Sequence, residues 1–261
     1  LSILSEERKL HILERLEIHR KVSAPELARV LSVSTETIRR DLAALEEQGK
    51  LRRVYGGAVK TGFTNDEPPY LQRQSHNREA KRSIGRIAAA RIEDGSTILI
   101  DVGTTTLELA RAISGCSQVT ILTNSLPVAT VLCESLQQHK FSGSVMLLGG
   151  MLNPEQQSLS GPFCEQMIAE LQVDQAFLSC GGISTEQGVT DYDVDEAACS
   201  RLFARSAAKV TVLADHTELG QRTFIRVIGL EQVNEIISDS PCPKEWMTTI
   251  KGHKISWVTA D

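Results

Sequence analysis

The run Val33 to Asp41 reads V-S-T-E-T-I-R-R-D, and it constrains the chain more than any other stretch. Ser34 can cap a helix by accepting a hydrogen bond from a first-turn amide that has no partner within the helix. Ile38, Leu42 and Leu45 then recur at spacings of four and three, which makes one apolar stripe and leaves Thr35, Glu36, Arg39 and Arg40 off it. A shorter helix, Ala24 to Leu31, begins after Ser23 with Pro25 in its first turn. The gap Ser32-Val33 permits only a tight corner, so the pair predicts a helix-turn-helix. Glu6 to Ile18 supplies a third helix, whose Leu10, Leu13 and Leu16, with Ile12 nearby, give an apolar side. After Gly49 the helical period stops. Leu51 to Val59, with Gly56-Gly57 inside it, predicts a β-hairpin, and a hairpin appended to a helix-turn-helix is a wing.

Two readings of this head stand side by side. In one, the Thr35–Arg40 face enters the major groove of a duplex. Thr35, Thr37 and Arg39 or Arg40 then reach base edges, while the rest of the surface, with Ser34 and Glu36 in it, holds phosphates. Arg52, Arg53 and Tyr55 of the wing would touch phosphates or lean into the minor groove. In the other, a small helical bundle simply solvates its arginines. Charge favours the first. Residues 1–60 carry 12 Lys/Arg against 9 Asp/Glu, whereas the remainder carries 16 against 24. A basic head offers a phosphate-facing surface, and an acidic body is not one that DNA wraps. Aromatic residues make up only 4% of the chain, which argues against a stacking platform for single strands.

No stretch approaches 18 consecutive apolar residues, and the first segment is a charged amphipathic helix, so a soluble, cytoplasmic protein is expected. Six widely spaced cysteines, none in a C-x-x-C pair, fit buried thiols better than disulfides or a zinc site. No metal or cofactor is expected. Residues 61–78, with Pro68-Pro69 and polar neighbours, read as a linker between a head at 1–60 and a body at 79–261.

The body alternates. A helix at Glu79–Ile92 precedes strands at Thr97–Ile100, Val119–Leu122, Val145–Leu148, Ala176–Leu178, Val210–Ala214, Glu235–Ile237 and Lys254–Val258. Helices at Leu107–Ile113, Leu126–Leu136, Pro162–Glu170 and Asp193–Ser206 come between them. Short strands separated by helices imply an α/β domain with a largely parallel sheet. Ligands bind such sheets beyond the carboxyl ends of the strands. There the sequence places Asp101, Gly103, Thr104, Thr105 and Thr106, then Thr123-Asn124, Gly149-Gly150, Gly181-Gly182 and Asp215. The Gly103–Thr106 run offers amides and hydroxyls to an anion such as a phosphate, or is equally a capped helix with a sharp entry turn. Without G-x-G-x-x-G or G-K-[ST], neither a dinucleotide nor a nucleoside triphosphate is supported. Glu196 follows an acidic stretch and either caps a helix or faces the pocket.

Several of these pieces carry a resemblance. R-x-x-x-I-L (Arg8 to Leu13), V-S-A-P-E-L-A (Val22 to Ala28), V-S-T-E-T-I-R-R-D-L (Val33 to Leu42), L-E-E-Q-G (Leu45 to Gly49) and Y-G-G-A (Tyr55 to Ala58) resemble the winged helix-turn-helix of the DeoR/GlpR family of bacterial transcriptional regulators. The body is similar too, through D-x-G-T-T-T at Asp101 to Thr106, T-N at Thr123-Asn124, G-G at Gly149-Gly150, and Gly188-Val189-Thr190 followed by Glu196-Ala197. The resemblance implies a sugar-operon repressor that binds operator DNA as a homo-oligomer. It implies a carboxy-terminal domain like ribose-5-phosphate isomerase and glucosamine-6-phosphate deaminase, which binds a phosphorylated sugar and carries Lys81 as a phosphate contact or ion-pair partner. One departure stands out. The family reads A-D-x-[ST]-K-[FY]-G late in the body, where this chain has Ala214-Asp215-His216-Thr217-Glu218-Leu219-Gly220. If Glu218 faces the pocket, a neutral polyol, an amino sugar or a differently placed phosphate is favoured. The rival function is a sugar-phosphate isomerase or deaminase with an accessory DNA-binding domain; Asp101, Asp215, Glu196 and His216 are its candidate acids and bases.

Overall fold

A computed structural model describes residues 5–19, 21–54, 57–60 and 67–261. The chain forms two compact units, residues 1–65 and 66–261.

The first unit runs α1 (Ser5–His19), β1 (Lys21–Ser23), α2 (Ala24–Val30), α3 (Thr35–Glu47), β2 (Leu51–Val54) and β3 (Gly57–Lys60). The hairpin strands β2 and β3 pair antiparallel, and β1 adds to the other side of β3. Ile12, Leu16, Leu27, Ile38, Leu42, Leu45 and Leu51 close one core. Leu10, expected on the apolar side of α1, is exposed. The buried stripe instead runs through Ile12 and Leu16, four residues apart, with Leu13 at its margin. Arg8 continues that stripe one turn earlier and is buried; its guanidinium grips Asp41 of α3 at 2.8 and 3.2 Å. The corner after α2 is closed from Val33 N–H to Ala28 C=O and from Ser32 N–H to Arg29 C=O, with Ser32 left-handed at φ 54°. The same closure ends α3, where Gly49 at φ 66° takes the left-handed position without a side-chain clash.

The second unit begins with α4 (Tyr70–Ser75) and α5 (Arg78–Ala89). It continues through β4 (Thr97–Ile100), α6 (Thr104–Ala112), β5 (Val119–Thr123), α7 (Leu126–Gln137) and β6 (Gly143–Leu147). Next come β7 (Met151–Asn153), β8 (Ser158–Ser160), α8 (Pro162–Ala169), β9 (Val173–Leu178), β10 (Gly182–Ser184), β11 (Gly188–Asp191) and α9 (Val194–Ser206). It ends with β12 (Ala207–Leu213), β13 (Ile225–Ile228), β14 (Glu235–Ser238), α10 (Met247–Gly252) and β15 (Ser256–Thr259). Seven strands form one parallel sheet in the order β15-β14-β12-β9-β4-β5-β6. Both faces are covered, as parallel sheets require. Ile98, Ile100, Ile121, Phe177, Leu213 and Ile237 face one core, while Leu99, Leu122, Ala176, Leu178, Val212 and Ile236 face the other. Strand order reverses at the β4–β9 pair, because β5 and β6 lie to one side of β4 and every later sheet strand lies to the other.

The expected linker is partly structured. Residues 70–75 are helical because Tyr70 is a core residue, 1% exposed among Ile84, Leu107 and Leu109. Helix α6 starts at Thr104, three residues before the expected Leu107, so the three threonines form its first turn. Three short strands, β10, β11 and β13, make a separate antiparallel sheet that alternation in the sequence did not reveal. Six cysteines are free thiols; Cys164, Cys180 and Cys199 are buried as expected, but Cys133 is exposed on α7. No helix among the described residues is long and apolar enough to cross a membrane.

Candidate functional sites

On the first unit, the Ser34 hydroxyl accepts from the Thr37 amide at 3.1 Å and so caps α3. Its oxygen also lies 2.8 Å from the Thr37 hydroxyl. Thr35 and Thr37 are half-buried, while Ser34, Glu36, Arg39 and Arg40 are exposed. The guanidiniums of Arg39 and Arg40 approach Glu36 at 3.7 and 3.8 Å. Both arginine side chains keep most of their surface in solvent, 67% and 81%, so these pairs are weak and give way to a stronger anion. Arg53 is used differently. Its amide and Nε both donate to the Glu46 carboxylate at 2.7 Å, which fastens the wing to the end of α3. Arg52 stands in β2 opposite Val59; its side chain and all of Tyr55 lie outside the described residues.

On the second unit, the switch point between β4 and β9 holds the start of α6. Gly103 is there because of close approach: a Cβ would lie 2.6 Å from the Cβ and Oγ of Ser179, which follows β9. Ser179 in turn donates to the Val102 carbonyl. Thr106 donates back to the Gly103 carbonyl at 3.0 Å. Among the described residues, nothing hydrogen-bonds the hydroxyls of Thr104 and Thr105, which remain available at a positive helix end. Asp101 is wholly buried, with one carboxylate oxygen taken by the Val102 amide at 2.9 Å and the other by the Ser200 hydroxyl at 2.7 Å. Burial lifts its pKa well above the usual aspartate range. Each carboxylate oxygen of Asp101 thus already accepts one hydrogen bond that shapes the loop.

Around this point the expected residues converge through α9 and the β7–β8 hairpin. Ser200 and Glu196 lie one turn apart on α9, and Ser158 of β8 donates to Glu196. The Asn124 amide donates to the neighbouring Leu159 carbonyl at 3.0 Å, and Thr123 accepts from the Ser125 amide. Burial raises Glu196 to about 7, against the help of Ser158. Gly181 leaves room for the Tyr192 ring, 2.5 Å from where its Cβ would be. Gly149 and Gly150 follow β6 beside α8 and β8, where a Cβ on Gly150 would meet the Ser160 carbonyl at 2.4 Å. Packing accounts for Gly150 without a ligand.

The end of β12 carries the second cluster. Asp215 is buried, accepts from Asn77 at 3.2 Å and from the Thr217 amide at 2.9 Å, and faces Lys81 at 3.9 Å. Lys81 also donates to the Arg73 carbonyl at 3.0 Å, and burial pulls its pKa down against the fields of Glu218 and Asp215. Glu218 faces inward. It accepts from the Asp215 amide at 2.9 Å, contacts the Cys180 thiol, and is pushed up by burial and by Asp215. Exposed His216 pairs with Asp239 at 2.6 Å, away from this cluster.

Reading the sequence missed a group drawn from 67–77 and 190–223. Arg73 binds Glu67 at 2.7 Å and Gln156 at 2.6 Å, so this segment lies across the β7–β8 turn. Burial lifts Glu67 to about 8 and Asp191 to about 6, with Arg73 opposing both shifts. Four buried polar atoms have no partner among the described residues: one Glu67 oxygen, the Tyr70 hydroxyl, the Asn124 carbonyl oxygen and the Thr223 hydroxyl. Orphaned buried groups are rare in folded proteins and mark places where a polar ligand or water completes the pairing. A cavity of about 390 Å³ lies elsewhere, at the amino ends of β4 and β9 among Arg91, Asp94, Asp174 and Lys209. Its two cations are already held by Glu235, at 3.3 and 3.1 Å.

Known proteins agree with this division. A DeoR-like helix-turn-helix domain matches residues 8–61 and a DeoR C terminal sensor domain matches residues 76–240. The transcriptional regulator GolR of Listeria innocua is 34% identical over 91% of this chain and 92% of its own. The regulator GlpR of Haloferax volcanii is 34% identical over 91% of each. The transcriptional repressor GlcR of Bacillus subtilis is 33% identical over 90% of this chain and 88% of its own. Among solved structures, ribose 5-phosphate isomerase A of Methanocaldococcus jannaschii aligns over 55% of each chain at 15% identity and a TM-score of 0.39, a likeness too slight to bear on function. With a winged helix-turn-helix on one unit and a sensor sheet on the other, the chain belongs to the DeoR family of DNA-binding transcriptional regulators.

Proposed function

We propose that the protein is a repressor of a carbohydrate uptake or catabolic operon, released from its operator by a phosphorylated sugar or a related metabolite. It acts as a homo-oligomer in the cytoplasm, at the nucleoid when bound. The observation that carries this reading is the free anion-binding start of α6 at the switch point, on a chain whose α3 presents Arg39 and Arg40 to solvent. Thr104, Thr105 and the first amides of α6 would take the phosphate. Lys81 would not, because Asp215 and Glu218 already offset its charge. The inward Glu218 and the orphaned Glu67 oxygen suit hydroxyls, or an amino group, at the far end of the same ligand.

Turnover is not part of the reading. A sugar-phosphate isomerase needs a free base against the substrate, whereas the oxygens of Asp101 are both engaged and Asp215 is held by Asn77, Thr217 and Lys81. The test uses a duplex selected from a random pool by the full-length protein, read by fluorescence anisotropy. Arg39→Ala and Arg40→Ala should each weaken binding and flatten its salt dependence, and one member of a sugar-phosphate panel should release the wild type. Undiminished binding by both variants overturns the recognition-helix assignment; indifference to the whole panel overturns the effector assignment.

A further inference from the structure

Strand β6 is an edge of the seven-stranded sheet, paired only to β5, in an unbroken register from Gly143 to Leu147. Solvent-facing edges are ordinarily blunted by lysine, proline or a bulge, because an open row of amides and carbonyls recruits another strand. This edge has none of these. It contains no charged residue, and no Lys or Arg occurs anywhere between Lys140 and Arg201. Its side chains are apolar and uncovered: Met146 and Leu147 on β6, Met151 and Leu152 on β7, and Phe163 and Met167 on α8 are 40 to 74% exposed. Half of the large exposed apolar side chains among the described residues thus fall within positions 146–167. The segment after β6 lies against α8, since a Cβ on Gly149 would lie 4.0 Å from the Met167 sulfur and one on Gly150 would lie 3.2 Å from the Cys164 Cβ, and Met146 and Leu147 flank the edge on opposite faces of the sheet.

We infer that a second copy of this chain covers this face, with β6 pairing antiparallel to its own counterpart across a two-fold axis. An antiparallel strand pair is self-complementary, so one edge meets an identical edge and satisfies both rows of backbone groups. The six side chains expose on the order of 600 Å² together, the top of the range for the largest apolar patch of a typical monomer and most of the ~800 Å² per partner that a stable interface buries. The sheet of one copy continues into the other. A winged helix reads one half-site, so a two-fold of this kind also suits paired half-sites.

Sedimentation velocity of the full chain tests this. The wild type should be dimeric or larger at micromolar concentration, and Phe163→Glu with Met151→Glu should weaken association about thirtyfold or more. Leu152→Lys, at another exposed position, should do the same and guards against misfolding of the first variant, with circular dichroism as the check. Single cysteines at Ser144, Val145 and Met146 should yield an oxidation-dependent cross-link for at least one position, above the background of the wild type. A monomeric wild type, which would leave the face to a different protein, overturns the inference. So does a dimer that survives both sets of charges, or the absence of any cross-link.

Discussion

Replacing Gly103 by alanine probes the geometry on which effector sensing depends. The added methyl would lie 2.6 Å from both the Cβ and the Oγ of Ser179 and 3.0 Å from the Thr106 hydroxyl. Ser179 cannot swing clear without releasing the Val102 carbonyl, so either the loop or the end of β9 must shift. Overpacking of this kind costs about 1–3 kcal/mol. For a unit of this size each kcal/mol lowers Tm by roughly 2–4 °C, which places Gly103→Ala about 2–12 °C below the wild type. Ser179→Gly removes both clashing atoms and one hydrogen bond, at about 1 kcal/mol for the bond and 0.5–1 kcal/mol for glycine in the backbone. If close approach is the cause, the double variant should be no less stable than Ser179→Gly alone, a coupling of about 1–3 kcal/mol. Thermal unfolding of the four proteins gives the cycle, and the ligand-induced Tm shift with a releasing sugar phosphate reads the site. Additive losses within about 0.5 kcal/mol, or a Gly103→Ala protein as stable and as responsive as the wild type, would refute the reasoning.

Glu196 makes stability depend on pH. Its pKa is raised from an ordinary 4.5 to about 7, so the folded chain holds a proton that the unfolded chain has released. Its contribution is therefore most favourable below pH 4.5, is lost as pH rises to about 7, and amounts to about 3 kcal/mol. Glu196→Gln should flatten the sensor unit's Tm over that window, and an unchanged profile would reject the assignment. In the first unit, Arg8→Met strands the buried Asp41 carboxylate and should cost about 3–5 kcal/mol, seen as early unfolding of the DNA-binding unit. A loss under 1 kcal/mol would show that the pair is not what ties α1 to α3. Where the pH is high enough to ionise Glu218 against its raised pKa, Glu218→Gln removes one of two charges offsetting Lys81, and inorganic phosphate or a sugar phosphate should then bind several-fold tighter by calorimetry. Weaker binding would mean that Glu218 contacts the ligand itself.

The head was legible because its rules are local. Ser34, the Ile38–Leu42–Leu45 stripe and Gly49 each act within a turn or two of their own positions, and each behaves in the structure as its neighbours dictate. The parallel strands were equally plain, since burial on both faces writes near-continuous apolar runs such as Thr97–Ile100. What the sequence could not carry was pairing across distance. Leu10 was read as core because period alone does not fix which edge of a stripe faces inward. Glu67, Pro68 and Pro69 were read as a linker, yet Arg73 and Tyr70 anchor that segment to the β7–β8 turn about 80 residues away. Asp101 was read as a ligand contact because it ends a strand, and only Ser200, 99 residues later, shows that its second oxygen is occupied. The same distance decides Glu218. In sequence it was one reversed charge with two possible directions; folded, it accepts from Asp215 and faces Lys81, so this site holds fewer unopposed cations than its threonine loop alone would suggest. On the proposed reading, recognition of an anion then leans on the oriented amides and hydroxyls at the start of α6. A sensor built this way should favour ligands that combine one phosphate with several hydroxyls over ligands carrying two phosphates, because a second phosphate would meet Asp215 and Glu218 around an already engaged Lys81 instead of a free lysine.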